Sequence, residues 1–148
     1  MSLLLLLDLD DTLLKNNIDD FLPKYLEAFS GFVSEQIDPN LFVRALLAGT
    51  RAMVQNRRSD CTLNQVFDEP FFPLVGIQAE KFRATADNFY SQVFPSLKYL
   101  TEPIPGAASF VDVAIERGYR LAITTNPLFP RAAIRHRLEW AGLNADER

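Results

Sequence analysis

Residues Leu3 to Leu14 have the sequence LLLLLDLDDTLL, and this stretch decides the fold of the chain. Five consecutive leucines end at Asp8, which predicts a short strand buried on both faces, as in the interior of a parallel sheet. Ligand sites in open α/β sheets lie just outside the carboxyl ends of such strands. The sequence therefore predicts a site that contains Asp8 and Asp10. The alternative interpretation is an acidic turn that merely ends a strand.

Two carboxylates at such a position can perform complementary chemistry. One can act as a nucleophile or as a metal ligand. The other can donate a proton to a leaving group, provided that the surroundings of the two groups favour different protonation states. The spacing of Asp8 and Asp10 is compatible with this division of roles.

A second informative stretch, from Pro103 to Pro127, has the sequence PIPGAASFVDVAIERGYRLAITTNP. Pro105-Gly106 opens a predicted helix that Gly118 ends, and an apolar strand from Tyr119 to Thr124 follows. Together, DLDDT after a buried strand and this later block resemble the haloacid dehalogenase superfamily of hydrolases, which form an aspartyl-phosphate. The resemblance covers residues 1–14 and 103–148, while the middle matches only in length and helical character.

The resemblance implies an α/β fold with two parts. Residues 1–14 and 101–148 would form a Rossmann-like parallel sheet core, and residues 15–100 would form an inserted α-helical cap of the C1 type. Periodicity independently predicts about four helices and no convincing strand from 15 to 100, a segment too long for a loop. Helix starts are predicted at Asp38-Pro39 and at the capping box Thr62 to Gln65, and Phe71-Phe72-Pro73 is predicted to break the third helix.

The resemblance also assigns roles to residues. Asp8 would attack a phosphoryl group and help to hold Mg²⁺. Asp10 would protonate the leaving alcohol and then activate water, with its backbone carbonyl facing the metal. Thr125 would bind a phosphoryl oxygen, and Asn126 would contact substrate unless it is only a turn residue. The implied activity is Mg²⁺-dependent hydrolysis of a small phosphorylated metabolite.

The chain departs from the superfamily pattern after Thr125. The superfamily needs a later lysine and a late acidic pair that completes the metal site, whereas all four lysines precede Thr125. Arg131 and Arg135 are poor substitutes for the lysine because they lie in a regular predicted helix. We therefore expect part of a longer protein, or the product of a split or degraded gene, that is inactive alone.

Two alternatives to a phosphatase follow from these departures. The chain could be a non-catalytic fragment or binding module that uses an unfinished sheet edge. It could also be a 2-haloacid dehalogenase, which the acid at Asp10 disfavours because a halide leaves without a proton.

The composition limits the classes of partner and compartment. The net charge is -4, and no basic patch of the kind that binds nucleic acid is evident. The single cysteine, Cys61, excludes an intramolecular disulfide and fits a reducing compartment. The leucine run lacks the basic flank of a signal peptide, and no apolar stretch approaches the ~18 residues that span a membrane. We predict a cytoplasmic protein without membrane or nucleic-acid partners, and the sequence predicts no oligomeric state.

Overall fold

The computed structural model of the protein describes residues 3–143, which form a mixed α/β fold. Helices predominate, and the strands are short. In chain order the elements are β1 (Leu4–Leu7), β2 (Leu14–Asn16), α1 (Ile18–Phe32), α2 (Pro39–Gln55), α3 (Leu63–Val75), α4 (Ala79–Gln92), a 3-10 helix (Phe94–Leu100), β3 (Thr101–Pro103), α5 (Ala107–Glu116), β4 (Arg120–Ile123) and α6 (Arg131–Trp140).

The chain divides into two compact units. The first comprises Met1–Leu22 and Pro95–Arg148, and the second comprises Pro23–Phe94. The sequence predicts that the helical segment begins at residue 15, but the chain remains in the first unit beyond that point. The reason is strand β2, which pairs antiparallel with β3 and brings Asn16 opposite Thr101. The prediction of no strand from 15 to 100 is therefore wrong for residues 15 and 16.

The first unit contains a small parallel sheet of two strands. β1 pairs with β4 so that Leu4 lies opposite Arg120 and Leu7 lies opposite Ile123. The backbone N–H of Thr124 donates to the carbonyl of Leu7 at 2.8 Å and extends this pairing by one residue. Within residues 3–143, β1 and β4 pair only with each other.

The prediction that β1 is buried on both faces is wrong. Leu4 and Leu6 are 50% and 61% exposed, whereas Leu5 and Leu7 on the opposite face are half-buried. A strand is buried on both faces only when other elements cover both. Among the described residues only one face of β1 is covered. Leu9, just beyond the strand, is completely buried.

The second unit is built from helices whose starts follow local sequence signals. The carboxylate of Asp38 accepts a hydrogen bond from the N–H of Leu41 at 2.9 Å at the start of α2. Thr62 and Gln65 form the reciprocal capping box predicted for α3. These two predicted helix starts are confirmed.

The predicted break at Phe71-Phe72-Pro73 is wrong, because α3 continues through Pro70 and Pro73 to Val75. Each internal proline removes one backbone hydrogen bond and costs about 3 kcal/mol. Phe71 and Val75 are buried on the packed face of the helix, and each such side chain contributes about 1.5–3 kcal/mol. The packing therefore offsets the local preference, and the helix ends only at Gly76, whose φ of 68° favours glycine.

Aromatic side chains form the core of the second unit. The rings of Phe29 and Phe89 stack with their centroids 4.0 Å apart. Beside them, the hydroxyls of Tyr25 and Tyr90 form a buried hydrogen bond of 2.8 Å. Burial raises the pKa of both phenols well above the ordinary value, because the ionised form loses its hydration.

The helices are amphipathic. In α2, the buried residues Phe42, Ala45, Leu46, Gly49 and Met53 lie on one face, and the other positions are half-buried or exposed. A helix with such a polar face suits the surface of a folded unit. In the part of the chain from residue 3 to residue 143, no helix is both long and apolar enough to cross a membrane.

Candidate functional site

A tight loop presents the two predicted carboxylates beyond the end of β1. The carbonyl of buried Leu9 accepts hydrogen bonds from the N–H groups of Leu13 at 2.9 Å and Leu14 at 3.0 Å. Asp11 adopts a φ of 54°, a left-handed conformation that aspartate tolerates better than most residues. Leu9 is therefore anchored inward, while its neighbours Asp8 and Asp10 remain accessible to solvent.

Asp8 is the more accessible of the two carboxylates. It directly follows β1 and is exposed. Within residues 3–143, its side chain has no hydrogen bond or ion pair, so both carboxylate oxygens are available to a ligand. An unpaired carboxylate at the carboxyl end of a parallel strand is the arrangement that a nucleophile or a metal ligand requires.

Asp10 is paired, in contrast to Asp8. The two Nη groups of Arg137 donate to the two carboxylate oxygens of Asp10, one of them at 3.3 Å. The side-chain amide of Asn16 donates to Oδ1 of Asp10 at 3.4 Å. The Asp10 side chain remains 42% exposed, while that of Arg137 is only 1% exposed. The ion pair therefore joins a buried cation to a carboxylate that still faces solvent.

Two aromatic rings surround the buried guanidinium. Its Cζ lies 5.9 Å from the ring centroid of Phe21 and 5.5 Å from that of Phe129, within the range of cation–π contacts. Nε of Arg137 and Oδ1 of Asn16 are buried without a protein partner among the described residues. Asp10, Asn16 and Arg137 form what we call the Asp10 cluster.

The sequence does not single out Arg137. Arg131 and Arg135 of the same helix, the two poor substitutes for a lysine, lie along a groove of about 730 Å³ whose lining includes neither Asp8 nor Asp10. The signal that identifies Arg137 is its spacing, because Ala133, Arg137 and Trp140 share the buried face of α6. An arginine on a buried helix face requires an anionic partner.

The end of β4 lies beside the end of β1, because Ile123 pairs with Leu7. Thr124 is the residue that bonds across to β1, since its N–H and its hydroxyl both reach the carbonyl of Leu7, at 2.8 and 3.4 Å. Thr125 follows, is half-buried, and has no hydrogen-bond partner for its hydroxyl within residues 3–143. Asp8 and Thr125 therefore both lie at the carboxyl end of the parallel strands.

Asn126 has the features of a turn residue. It is exposed, and its carbonyl accepts a hydrogen bond from the N–H of Leu128 at 2.8 Å. This local hydrogen bond favours the turn interpretation that the sequence leaves open. A contact between Asn126 and substrate stays a prediction.

The suitability of the site for Mg²⁺ rests on few ligands. Mg²⁺ typically binds one or two carboxylates and keeps several waters, so the unpaired carboxylate of Asp8 and the backbone carbonyl of Asp10 are suitable donors. The carboxylate of Asp10 is engaged by Arg137. Across residues 3–143, no three acidic, histidine or cysteine side chains come together as a metal site. The donor chemistry is compatible with Mg²⁺, but the number of protein ligands is small.

Comparisons with known proteins do not add to the motifs. No protein-family model matches the chain, and no curated protein sequence matches it either. The resemblance to the haloacid dehalogenase superfamily therefore stays a prediction from the two sequence stretches.

Proposed function

We propose that the chain provides the nucleophile and the phosphate-binding end of a Mg²⁺-dependent phosphomonoester hydrolase of the haloacid dehalogenase type. The observation that supports this proposal is that Asp8, whose carboxylate is unpaired, and the half-buried residue Thr125 both follow the carboxyl ends of two paired parallel strands. In this proposal the first unit is the Rossmann-like core, and the helical unit is the cap. The substrate is a small phosphorylated metabolite.

Each residue has a defined part in the proposed reaction. An oxygen of Asp8 attacks the phosphorus, the bond from phosphorus to the leaving oxygen breaks, and an aspartyl-phosphate forms. Asp10 donates a proton to an alkoxide leaving group, and it must leave Arg137 to do so. Thr125 donates a hydrogen bond to a phosphoryl oxygen as charge develops on it. Bound Mg²⁺ would supply positive charge that offsets the repulsion between the carboxylates and a phosphate dianion.

The experiment that tests this proposal uses a phosphoryl donor with a good leaving group. Acetyl phosphate releases acetate, which needs no proton, so the formation of a phosphoryl group on Asp8 depends on the nucleophile and not on Asp10. We expect mass spectrometry to locate one phosphoryl group on Asp8 after incubation with acetyl phosphate and Mg²⁺. Asp8→Asn should abolish this modification, because an amide is not a competent nucleophile.

The loop offers a matched control for this experiment. Asp11→Asn makes the same change of charge and shape three residues away, and asparagine also tolerates the positive φ at that position. We expect Asp11→Asn to be phosphorylated on Asp8 like the unchanged protein. Equal modification of Asp8→Asn and the unchanged protein, or no modification of either, would refute the proposal.

A second candidate function is that of a non-catalytic binding module. Two observations favour it: the carboxylate of Asp10 is already paired with Arg137, and Leu4 and Leu6 present an exposed apolar surface on β1. A binding module would show no phosphoryl group on Asp8 under any of these conditions. The acetyl phosphate experiment therefore distinguishes the two candidates.

A further inference from the structure

The buried position of Arg137 requires a compensating anion, and Asp10 is that anion. A guanidinium that is only 1% exposed has lost nearly all of its hydration, which is costly unless a carboxylate replaces the lost interactions. The ion pair with Asp10 provides two charge-assisted hydrogen bonds. Helix α6 thus places a permanent positive charge in contact with the Asp10 carboxylate.

The geometry of this pair fixes the orientation of Asp10. Two parallel hydrogen bonds from a planar guanidinium hold both carboxylate oxygens, whereas a lysine would offer a single point of charge. The amide of Asn16 also donates to Oδ1 of Asp10. Three hydrogen bonds from two residues therefore restrict a side chain that would otherwise rotate freely in the loop.

The pair also affects whether Asp10 can accept a proton from water or donate one to a leaving group. In this arrangement the carboxylate accepts hydrogen bonds from Arg137, and with 42% of the side chain exposed it can still accept one from water. A carboxylate that accepts a hydrogen bond from water can orient that water and receive its proton as the water attacks the phosphorus. It is poorly suited to give a proton to a leaving group until the pair opens.

We propose that Arg137 is a positioning residue that holds Asp10 as the base for hydrolysis of a phosphoryl group on Asp8. In this step a water oxygen attacks the phosphorus, its proton passes to Asp10, and the bond from phosphorus to Asp8 breaks. The products are inorganic phosphate and the free Asp8 carboxylate. The inference rests on the proposed function, since it requires an aspartyl-phosphate.

The test measures how fast the phosphoryl group leaves Asp8. Protein phosphorylated with acetyl phosphate and Mg²⁺ is separated from the donor, and its decay is followed by intact-protein mass spectrometry. For Asp10→Asn we expect decay to slow by about 10²–10⁴-fold, as for the loss of a general base. For Arg137→Met we expect decay to slow by about 10- to 100-fold. This is the size of effect seen when a residue that orients a metal ligand is removed. Arg131→Met, on the same helix but away from Asp10, should decay like the unchanged protein.

The double variant Asp10→Asn/Arg137→Met separates positioning from a merely structural effect. If Arg137 acts through Asp10, the double variant should decay no more slowly than Asp10→Asn alone. A decay slowed by the product of the two single effects would show independent action and overturn the inference. Arg137→Lys should recover part of the rate, because it restores the charge but not both hydrogen bonds.

The remaining outcomes also decide the question. Unchanged decay in folded Arg137→Met would overturn the role of Arg137 and leave the proposed function intact. If circular dichroism shows that Arg137→Met is unfolded, Arg137→Lys decides, and an unchanged rate in that variant would likewise overturn the inference. Failure of the unchanged protein to form any phosphoryl group on Asp8 would refute the proposed function, and this inference with it.

Discussion

The carboxylate of Asp10 is paired with the guanidinium of Arg137, 127 residues further along the chain. The pair is asymmetric, since the arginine side chain is 1% exposed and the aspartate side chain is 42% exposed. Removal of either partner therefore leaves the other in a different environment. The two removals should therefore lower the unfolding free energy by different amounts.

We expect Asp10→Asn to destabilise the first unit more than Arg137→Met does. Asp10→Asn leaves a buried cation without its anion, which costs about 3 kcal/mol, at the lower end for a broken buried pair. Arg137→Met leaves a carboxylate that water can reach, and methionine packs well against Phe21 and Phe129, so we expect a loss of only about 1 kcal/mol. The measurement is urea unfolding followed by the fluorescence of Trp140, the only tryptophan, which is buried in this unit. Equal losses in the two variants would contradict the asymmetry.

The features that the sequence predicts well are local. The Asp38 cap and the capping box from Thr62 to Gln65 depend on residues within one helical turn, and both form as predicted. The same applies to Gly118, which follows the end of α5 with a positive φ. The parallel pairing of β1 with β4 agrees with the predicted parallel sheet, and helix α5 directly precedes β4.

The features that the sequence does not predict depend on tertiary contacts. The continuation of α3 past Pro73 requires the buried packing of Phe71 and Val75. The predicted burial of β1 on both faces fails because it depends on what covers the strand, and a run of leucines does not encode its own cover. The helical spacing of Arg137 indicates a buried arginine, but its pairing with Asp10 joins distant parts of the chain, so no local pattern indicates which anion it meets.

A second prediction concerns Mg²⁺. Because only Asp8 offers an unpaired carboxylate in the loop, we expect weak Mg²⁺ binding that perturbs the backbone amide signals of Asp8, Leu9 and Asp10 in NMR spectra. Asp8→Asn should remove most of the perturbation, and Asp11→Asn should leave it in place. Chelation by EDTA should also slow phosphorylation by acetyl phosphate. If the amide signals of Asp8→Asn move on addition of Mg²⁺ as they do in the unchanged protein, the ion binds elsewhere.

A third prediction compares two leucines of the same stretch. Leu9 is completely buried, so Leu9→Ala should cost about 2–5 kcal/mol of unfolding free energy. Leu6 is 61% exposed, so Leu6→Ala should change the free energy by less than about 1 kcal/mol. Urea unfolding followed by Trp140 fluorescence measures both. A large loss in Leu6→Ala would show that β1 is covered in solution by elements or copies that bury its second face.

The last prediction concerns the buried hydroxyls of Tyr25 and Tyr90 in the second unit. Burial raises the pKa of both phenols in the folded protein, so the unfolded state loses its protons first as the pH rises. The stabilisation is complete below the unfolded pKa of about 10 and is lost as the pH rises from there towards the folded pKa. Each tyrosine should lower the unfolding free energy by about 1.4 kcal/mol per pH unit in that range.

The double variant Tyr25→Phe/Tyr90→Phe removes both hydrogen-bond partners together. Its unfolding free energy should be nearly unchanged at pH 7 and higher than that of the unchanged protein above pH ~10. Urea unfolding followed by circular dichroism across this range measures the effect. Tyr99→Phe is the control because Tyr99 is 70% exposed and should not alter the alkaline slope. The same alkaline slope in the double variant and in the unchanged protein would show that these phenols do not determine the pH dependence.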